Sequence, residues 1–171
     1  SAVIGRALIM DQFPPGSMTS THTGNPVCCA AALASVKKIL SESLTANAAK
    51  LGPVLLEGLK KIQTRHPDVV GHVTAHGLVG GLQAVKHGRK EPDHNLAHAI
   101  IERCMWKGLL LFAPVGAWGQ TVKIAPPLTI PRAALEEGLA VLGEATDEAV
   151  VAPSPAPKAA QADPVSNCVL E

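Results

Sequence analysis

The chain has 171 residues, of which 47% are hydrophobic and 17% are charged, and its formal net charge is +1. That length supports one hydrophobic core, while the near-neutral charge and an aromatic content of 2% argue against a nucleic-acid-binding face. No apolar run reaches the length of a membrane span, so we expect neither a nucleic-acid nor a membrane partner.

The first forty residues predict a strand and two helical segments. Residues 1–5 form a short apolar strand that has no partner ahead of it, so we expect the sequence to be a piece of a longer protein. Residues 6–13 predict one or two helical turns. Pro26 suits the first turn of a helix that ends near Leu40. Its predicted packing residues are Ala30, Leu33, Ala34 and Ile39.

A second helix is predicted from Thr45, a residue suited to the N-cap, to Gln63. Pro53 lies inside it, and a proline in a helix interior costs about 3 kcal/mol. We therefore expect a kink or a restart at that position. The apolar face at helical spacing consists of Ala48, Leu51, Leu55, Leu59 and Ile62.

The next elements alternate between strands and a helix. Residues 69–85 predict a strand pair or one bent strand, whose glycines allow close packing. Residues 91–106 predict a helix that ends at Gly108, and residues 109–112 and 121–124 predict short strands. The inward residues of the helix are predicted to be Leu96, Ala99, Ile100, Cys104 and Met105.

The last helix is predicted over residues 133–149. From Val151 onward the Pro- and Ala-rich composition predicts a disordered tail. The folded part is therefore a mixture of helices and strands over about 150 residues, an α/β class of the usual domain size. The apolar face of the last helix consists of Leu135, Leu139 and Leu142.

The cysteines and histidines predict a reduced, cytoplasmic protein without a metal site. The four cysteines lack the spacing of zinc ligands, and His94 and His98 lie four residues apart without a third ligand nearby in sequence. Cys104 has no neighbouring base, so we expect a buried apolar role for it. We also expect Cys28 and Cys29 to be reduced residues of the core.

The run from Ser20 to Pro26 is a polar turn that opens a helix. Thr21 offers a hydroxyl donor, Gly24 tolerates a positive φ, and a helix N-terminus follows close behind. These features suit an anion, although loops of this composition also occur as simple caps. The pattern leaves an anion site and a capped turn as alternatives.

The order of several segments resembles the C-terminal part of a class III aminotransferase. The hydroxyl-Gly-Asn-Pro turn and the Pro-Pro-Leu-Thr-Ile segment are specific to that family when they occur together in this order and spacing. The resemblance covers residues 1–150. The matching stretches are residues 1–5, residues 20–26 with the alanine-rich helix behind them, Gly77-Leu78 with Gly81, residues 108–111 and residues 124–130.

The resemblance implies part of the type I fold of enzymes that depend on pyridoxal 5'-phosphate. Residues 1–26 would be a remnant of the large cofactor-binding domain, and residues 27–150 the connecting helix and the α+β small domain. Residues 151–171 would be the tail. The resemblance also implies a homodimer with a shared active site.

The resemblance further implies two binding positions. Thr21, assisted by Ser20, would bind the phosphate of a cofactor held mainly by the neighbouring subunit, with simple capping of the turn as the alternative. Lys123 stands where relatives that act on amino acids usually carry an arginine for the substrate carboxylate. Because lysine specifies a partner loosely, three roles remain for Lys123: pairing with a carboxylate, facing a substrate without one, or lying exposed on the strand.

The family's chemistry needs a lysine that forms a Schiff base with the cofactor and moves a proton. In the family that lysine lies upstream of the segment matching residues 1–5, so we expect this chain to lack it and to be inactive alone. The expected reaction moves an amino group between an amine or amino acid and a keto or aldehyde acceptor. A racemase or aminomutase of the same family and a non-catalytic truncated interaction domain are the alternatives.

Overall fold

The computed structural model describes residues 3–14, 16–17 and 21–152. By internal contacts the chain divides into two compact units, Ser1–Thr45 and Ala46–Glu171. The predicted phosphate contact Ser20 and residues 153–171 of the predicted tail lie outside the described residues.

The first unit contains helix α1, Ala7–Met10, and helix α2, Pro26–Ser41. Both helices were predicted, whereas residues 3–5 of the predicted strand have no regular structure. α2 begins at Pro26. Proline suits this first helical position because an N–H group there would have no intrahelical partner, so its absence costs nothing.

Helix α2 is mostly apolar, yet none of its residues is buried. Leu33, for example, is 55% exposed. A unit of this size offers little surface against which a helix of 16 residues could bury its sides. The predictions that fail here are the burial of Cys28, Cys29, Ala30, Leu33 and Ala34, all of which are exposed.

Helix α3, Leu44–Arg65, supplies the apolar stripe of the second unit. The predicted face is confirmed, because Leu55 and Leu59 are completely buried and Leu51 and Ile62 are 2% exposed. Ala48, the first residue of the face, is partly buried against the same core. α3 continues through Pro53, so the predicted restart does not occur. Pro53 is exposed, and water can therefore bind the backbone carbonyl that the proline leaves without a donor.

Three antiparallel strands form one sheet in the order β1-β2-β3, with β1 at Val70–His76, β2 at Val79–Ala84 and β3 at Thr121–Ile124. The predicted strand pair is confirmed, and its turn contains Gly77 at a φ of 54°. A Cβ atom on Gly80 would lie 3.1 Å from methyl carbons of Leu55 and Leu59. The missing side chain of Gly80 thus lets α3 pack directly on the sheet.

Helices α4, His94–Trp106, and α5, Arg132–Val151, complete the core of the second unit. Four of the five residues predicted to point inward from α4 are buried, but Met105 is 53% exposed because it follows the buried stripe by one position. On α5, Leu135 and Leu142 are buried and Leu139 is half-buried. No helix in the described part of the chain has both the length and the apolarity needed to cross a membrane.

Residues 109–112 form no strand, which corrects the prediction for this segment. The segment still alternates like a strand, since Leu109 and Leu111 pack against the core whereas Leu110 and Phe112 are exposed. Regular pairing is missing next to β3, where the described residues form a single bridge between Val115 and Thr121. The apolar alternation was therefore correct, and the inferred backbone pairing was wrong.

Burial controls the reactivity of the thiol in the core. Cys104 is completely buried in α4, as predicted. Desolvation raises the pKa of its thiol from 9.0 to about 11, against a smaller opposing effect of the charge on Lys107. Cys28 and Cys29 are exposed on α2.

We expect iodoacetamide at pH 8 to modify Cys28 and Cys29 of the folded chain rapidly and Cys104 only after unfolding, because the thiolate is the reactive form. A Cys168→Ser variant removes the fourth thiol, and mass spectrometry then counts the modified residues. Because Cys104 is completely buried and its pKa is raised to about 11, it should stay unlabelled in the folded chain at pH 9 as well. Equal rates for all three thiols of the folded chain at pH 8 would contradict the buried position.

Candidate functional site

Thr21 lies at the start of a turn that leads into α2. It is exposed, so its hydroxyl is accessible to a molecule outside the chain. Gly24 closes the turn at a φ of 77°, a conformation that residues with a side chain rarely adopt. The positive φ that the sequence predicted for Gly24 is therefore present in the structure.

The N-terminus of α2 has its own internal cap. The side-chain oxygen of Asn25 accepts hydrogen bonds from the N–H groups of Val27, at 3.0 Å, and Cys28, at 3.2 Å. The N–H of Cys29 donates to the backbone oxygen of Asn25 at 2.9 Å, and Pro26 has no N–H. All donors of the first helical turn are thus engaged. A phosphate at this turn would depend on the Thr21 hydroxyl rather than on free helix N–H groups.

Lys123 lies on β3, paired in register with Gly81 of β2. It is half-buried, and it alternates along the strand with the buried residues Val122 and Ile124, so it projects from the opposite face of the sheet. Its ammonium group is 5.6 Å from the centroid of the Phe112 ring. This distance is within the range of a cation–π contact.

The contact with Phe112 was not predicted from the sequence. Phe112 is 63% exposed and belongs to the segment that the sequence assigned to a strand. The sequence places Phe112 and Lys123 eleven residues apart without indicating how the intervening turn folds. Only the fold of that turn shows that the two side chains meet.

A cavity of about 280 Å³ lies beside Lys123. Its walls come from residues 109–112, from residues 123–127 and from the inward face of α5. Lys123 is the one charged side chain among the lining residues, and the others are apolar residues and glycine. The cavity therefore combines an apolar interior with a single cation.

The ammonium group of Lys123 has no acidic partner within 4.0 Å in the described part of the chain. Lys107 shows the contrast, since it lies 2.7 Å from Glu148 and 3.3 Å from Glu144. Arg132 likewise pairs with Glu136 at 2.8 Å. The charge on Lys123 is thus available to an anion from outside the described residues.

The two predicted binding positions belong to different units, Thr21 to the first and Lys123 to the second. His94 and His98 have ring centroids 6.3 Å apart, and the His94 Nδ1 atom is 3.1 Å from the backbone oxygen of Gly119. Across residues 3–14, 16–17 and 21–152, no three His, Cys, Asp or Glu side chains are grouped so that they could hold a metal ion.

Comparison with known proteins gives one consistent result. The family model described as aminotransferase class-III matches residues 1–146. The 5-aminovalerate aminotransferase DavT of Pseudomonas aeruginosa is 38% identical over 149 residues, which are 86% of this chain and 34% of that protein. Isoleucine 2-epimerase of Lentilactobacillus buchneri is 36% identical over 146 residues, covering 85% of this chain and 32% of the relative. The chain spans about a third of the length of the curated relatives it matches.

Solved structures agree with the sequence comparison. A Bacillus anthracis aminotransferase superposes with a TM-score of 0.67 at 30% identity, covering 75% of this chain and 30% of that one. This match confirms the predicted fold class, a mixed helix and sheet portion of the type I fold.

Proposed function

The chain belongs to the class III aminotransferases, a family that depends on pyridoxal 5'-phosphate, and we propose that it is the C-terminal part of an enzyme that transfers amino groups. The reaction would move an amino group between an amine or amino acid and an oxo acid or aldehyde. The observation that carries the proposal is the cation of Lys123, which lies without an acidic partner beside an apolar cavity. In this proposal, residues 1–26 belong to the large cofactor-binding domain of that enzyme, and residues 27–150 form the connecting helix and the small domain.

Lys123 binds the carboxylate of the substrate in this proposal. A half-buried ammonium group is less screened than an exposed one, so a carboxylate gains more by pairing with it. Phe112 limits where the ammonium group can move, because their contact favours positions over the ring. The pair would orient the substrate at this position.

Thr21 holds one phosphate oxygen of the cofactor in this proposal. Its exposed hydroxyl fits that task, whereas the first turn of α2 adds no free N–H group. When bound, pyridoxal phosphate supplies an electron sink for the charge left on a substrate carbon that loses a proton. Thr21 fixes the position of that group, and Ser20 would assist it.

The lysine that binds the cofactor covalently comes from outside this chain in our proposal, so the chain alone transfers no amino groups. Every described lysine other than Lys123 is exposed, whereas a lysine used as a nucleophile is activated in a desolvated or charged pocket. Lys38 and Lys61, for example, form surface pairs with Glu42 and Glu57. Lys123 stands instead where relatives that act on amino acids usually carry an arginine for the substrate carboxylate.

We further propose a cytoplasmic homodimer with a shared active site. The exposed apolar residues of α2, such as Leu33, Val36 and Leu40, need a covering surface in the whole protein. The exposed thiols of Cys28 and Cys29 suit a reducing compartment.

A racemase is the second candidate, because isoleucine 2-epimerase is nearly as similar to the chain as DavT is. The two reactions differ in a simple way. Amino transfer consumes one equivalent of an oxo or aldehyde acceptor for each product formed, whereas racemisation consumes none. Measuring acceptor consumption with the complete enzyme therefore distinguishes them.

In the complete enzyme we expect Lys123→Met to raise the KM for a carboxylate-bearing amino donor about tenfold or more, because a charge-assisted pair is lost. The KM for an amine without a carboxylate should stay unchanged. Lys123→Arg should keep the carboxylate preference, and Lys60→Met, at an exposed position on α3, is the matched control. Equal losses with both kinds of donor would contradict a role in binding the carboxylate.

We expect Thr21→Ala to weaken cofactor binding by the complete enzyme about tenfold, since one hydrogen bond to a charged phosphate is removed. Thr21→Ser keeps the hydroxyl and should restore the affinity. Dialysis followed by measurement of the cofactor retained gives the dissociation constants. Unchanged affinity in Thr21→Ala would leave Thr21 only the role of shaping the turn.

A further inference from the structure

A closed turn precedes β3 and connects the two residues of the Lys123–Phe112 contact. Val115 and Thr121 exchange both backbone hydrogen bonds, at 2.9 and 3.0 Å, and we call residues 115–121 the β3 turn. Phe112 lies three residues before this turn and Lys123 two residues after it. Because the chain enters and leaves the turn at one hydrogen-bonded pair, the placement of the turn determines how Phe112 and Lys123 approach each other.

The contact of Lys123 with Phe112 cannot fix this arrangement by itself. Phe112 is 63% exposed, and a cation–π contact at an exposed ring is weak. Residues 109–112 form no strand, so regular pairing does not hold Phe112 either. The two side chains therefore stay close only if the backbone of the β3 turn is held in place.

The β3 turn is attached to α4 by the side chain of His94, the first residue of that helix. The His94 Nδ1 atom lies 3.1 Å from the backbone oxygen of Gly119. A carbonyl oxygen can only accept a hydrogen bond, so the Nδ1 atom carries a proton and donates it. Gly119 lets the imidazole approach, because an ideal Cβ atom at this position would lie 2.5 Å from the His94 Nδ1 atom.

The backbone next to His94 is itself held by hydrogen bonds. The Asp93 side chain caps the first turn of α4. The Asp93 N–H donates to the backbone oxygen of Ala84 at the end of β2, at 3.0 Å, and the Ala84 N–H donates to the backbone oxygen of Gln120, at 2.9 Å. His94 therefore extends from a position that is fixed relative to β2. The β3 turn has a backbone attachment at Gln120 and a side-chain attachment at Gly119.

We propose that His94 is a positioning residue of the candidate site, which holds the β3 turn at Gly119 and thereby keeps the Lys123 ammonium group over the Phe112 ring. The inference rests on the proposed function in one respect, that Lys123 binds the substrate. It goes further by giving a role to a histidine of α4 for which the sequence indicated none.

Two NMR measurements on the 171-residue chain test the positioning. The first locates the proton of the His94 ring at pH 8, where histidine is ordinarily neutral. We expect the ¹⁵N shifts to place it on Nδ1, whereas free neutral histidine carries its proton mainly on Nε2. A proton on Nε2 of His94 would be incompatible with donation to Gly119 and would overturn the proposal.

The second measurement is the nuclear Overhauser effect between the ring protons of Phe112 and the ε-methylene protons of Lys123. His94→Ala should weaken it about twofold or more, because a hydrogen bond of ordinary strength that holds the turn is lost. His94→Asn should restore it, since the Asn amide nitrogen is bonded to Cγ as the His Nδ1 atom is. Asn95→Ala, at the exposed next position on α4, is the matched control and should leave the effect unchanged.

His94 is exposed, so its replacement opens no cavity in the core. If His94→Ala nevertheless does not fold, His94→Asp replaces it in the comparison with His94→Asn. Asp has the shape of Asn without its donor, and an acidic residue suits the first turn of a helix. An unchanged Overhauser effect in the variant without a donor, an equal loss in Asn95→Ala, or no recovery in His94→Asn would each overturn the proposal.

A kinetic measurement separates this proposal from the proposed function. In the complete enzyme, His94→Ala should raise the KM for a carboxylate-bearing amino donor about twofold or more and leave the KM for an amine without a carboxylate unchanged. A weakened Overhauser effect with both KM values unchanged would contradict substrate binding by Lys123, while the positioning by His94 would stand. An unchanged Overhauser effect would overturn the positioning whatever the KM values are.

Discussion

The second unit depends on the close approach of Leu55 and Leu59 to the backbone of Gly80. These two leucines are completely buried, and a side chain at Gly80 would crowd their methyl groups. Gly80 pairs with Ile124 on β3, directly beside Lys123. The leucines of α3 therefore pack on a residue of β2 whose partner on β3 is the neighbour of Lys123. Burial of apolar surface, worth about 25 cal/mol per Å², is the main source of stability for such packing. Packing of α3 on one face of the sheet thus supports β3, and Lys123 projects from the opposite face.

The surroundings of Lys123 explain how an unpaired cation can remain in a folded protein. A deeply buried ammonium group without a partner would be costly, but Lys123 is only half-buried and lies over the ring of Phe112. Other charges at element ends, such as Arg65 with Asp147 and Lys107 with Glu148, form pairs that connect helices. Lys123 is half-buried and forms no such pair with a described acidic residue.

The sequence predicted the elements whose patterns are local, and it failed where partners come from distant parts of the chain. The α3 face from Leu51 to Ile62 and the strand pair around Gly77 follow from periodicity and turn chemistry, and both are confirmed. The apolar pattern of residues 109–112 could not show whether a neighbouring strand offers hydrogen bonds. The exposure of Cys28 and Cys29 was missed because an apolar helix indicates burial without saying which surface provides it. The sequence proposed Thr21 and Lys123 as binding residues through a family pattern, but the contact of Lys123 with Phe112 and the cavity beside them required the fold.

The central claim, that the α3 stripe supports β3 and the site on it, is tested most directly by amide hydrogen exchange of Val122 in the Leu59→Ala variant. We expect the free energy of unfolding to fall by about 2–5 kcal/mol and the protection of Val122 to fall by the same amount, because both depend on one core. Leu110→Ala, at a side chain that is 80% exposed, is the matched control and should change either value by less than about 0.5 kcal/mol. Loss of protection confined to α3, with Val122 unchanged, would contradict the account.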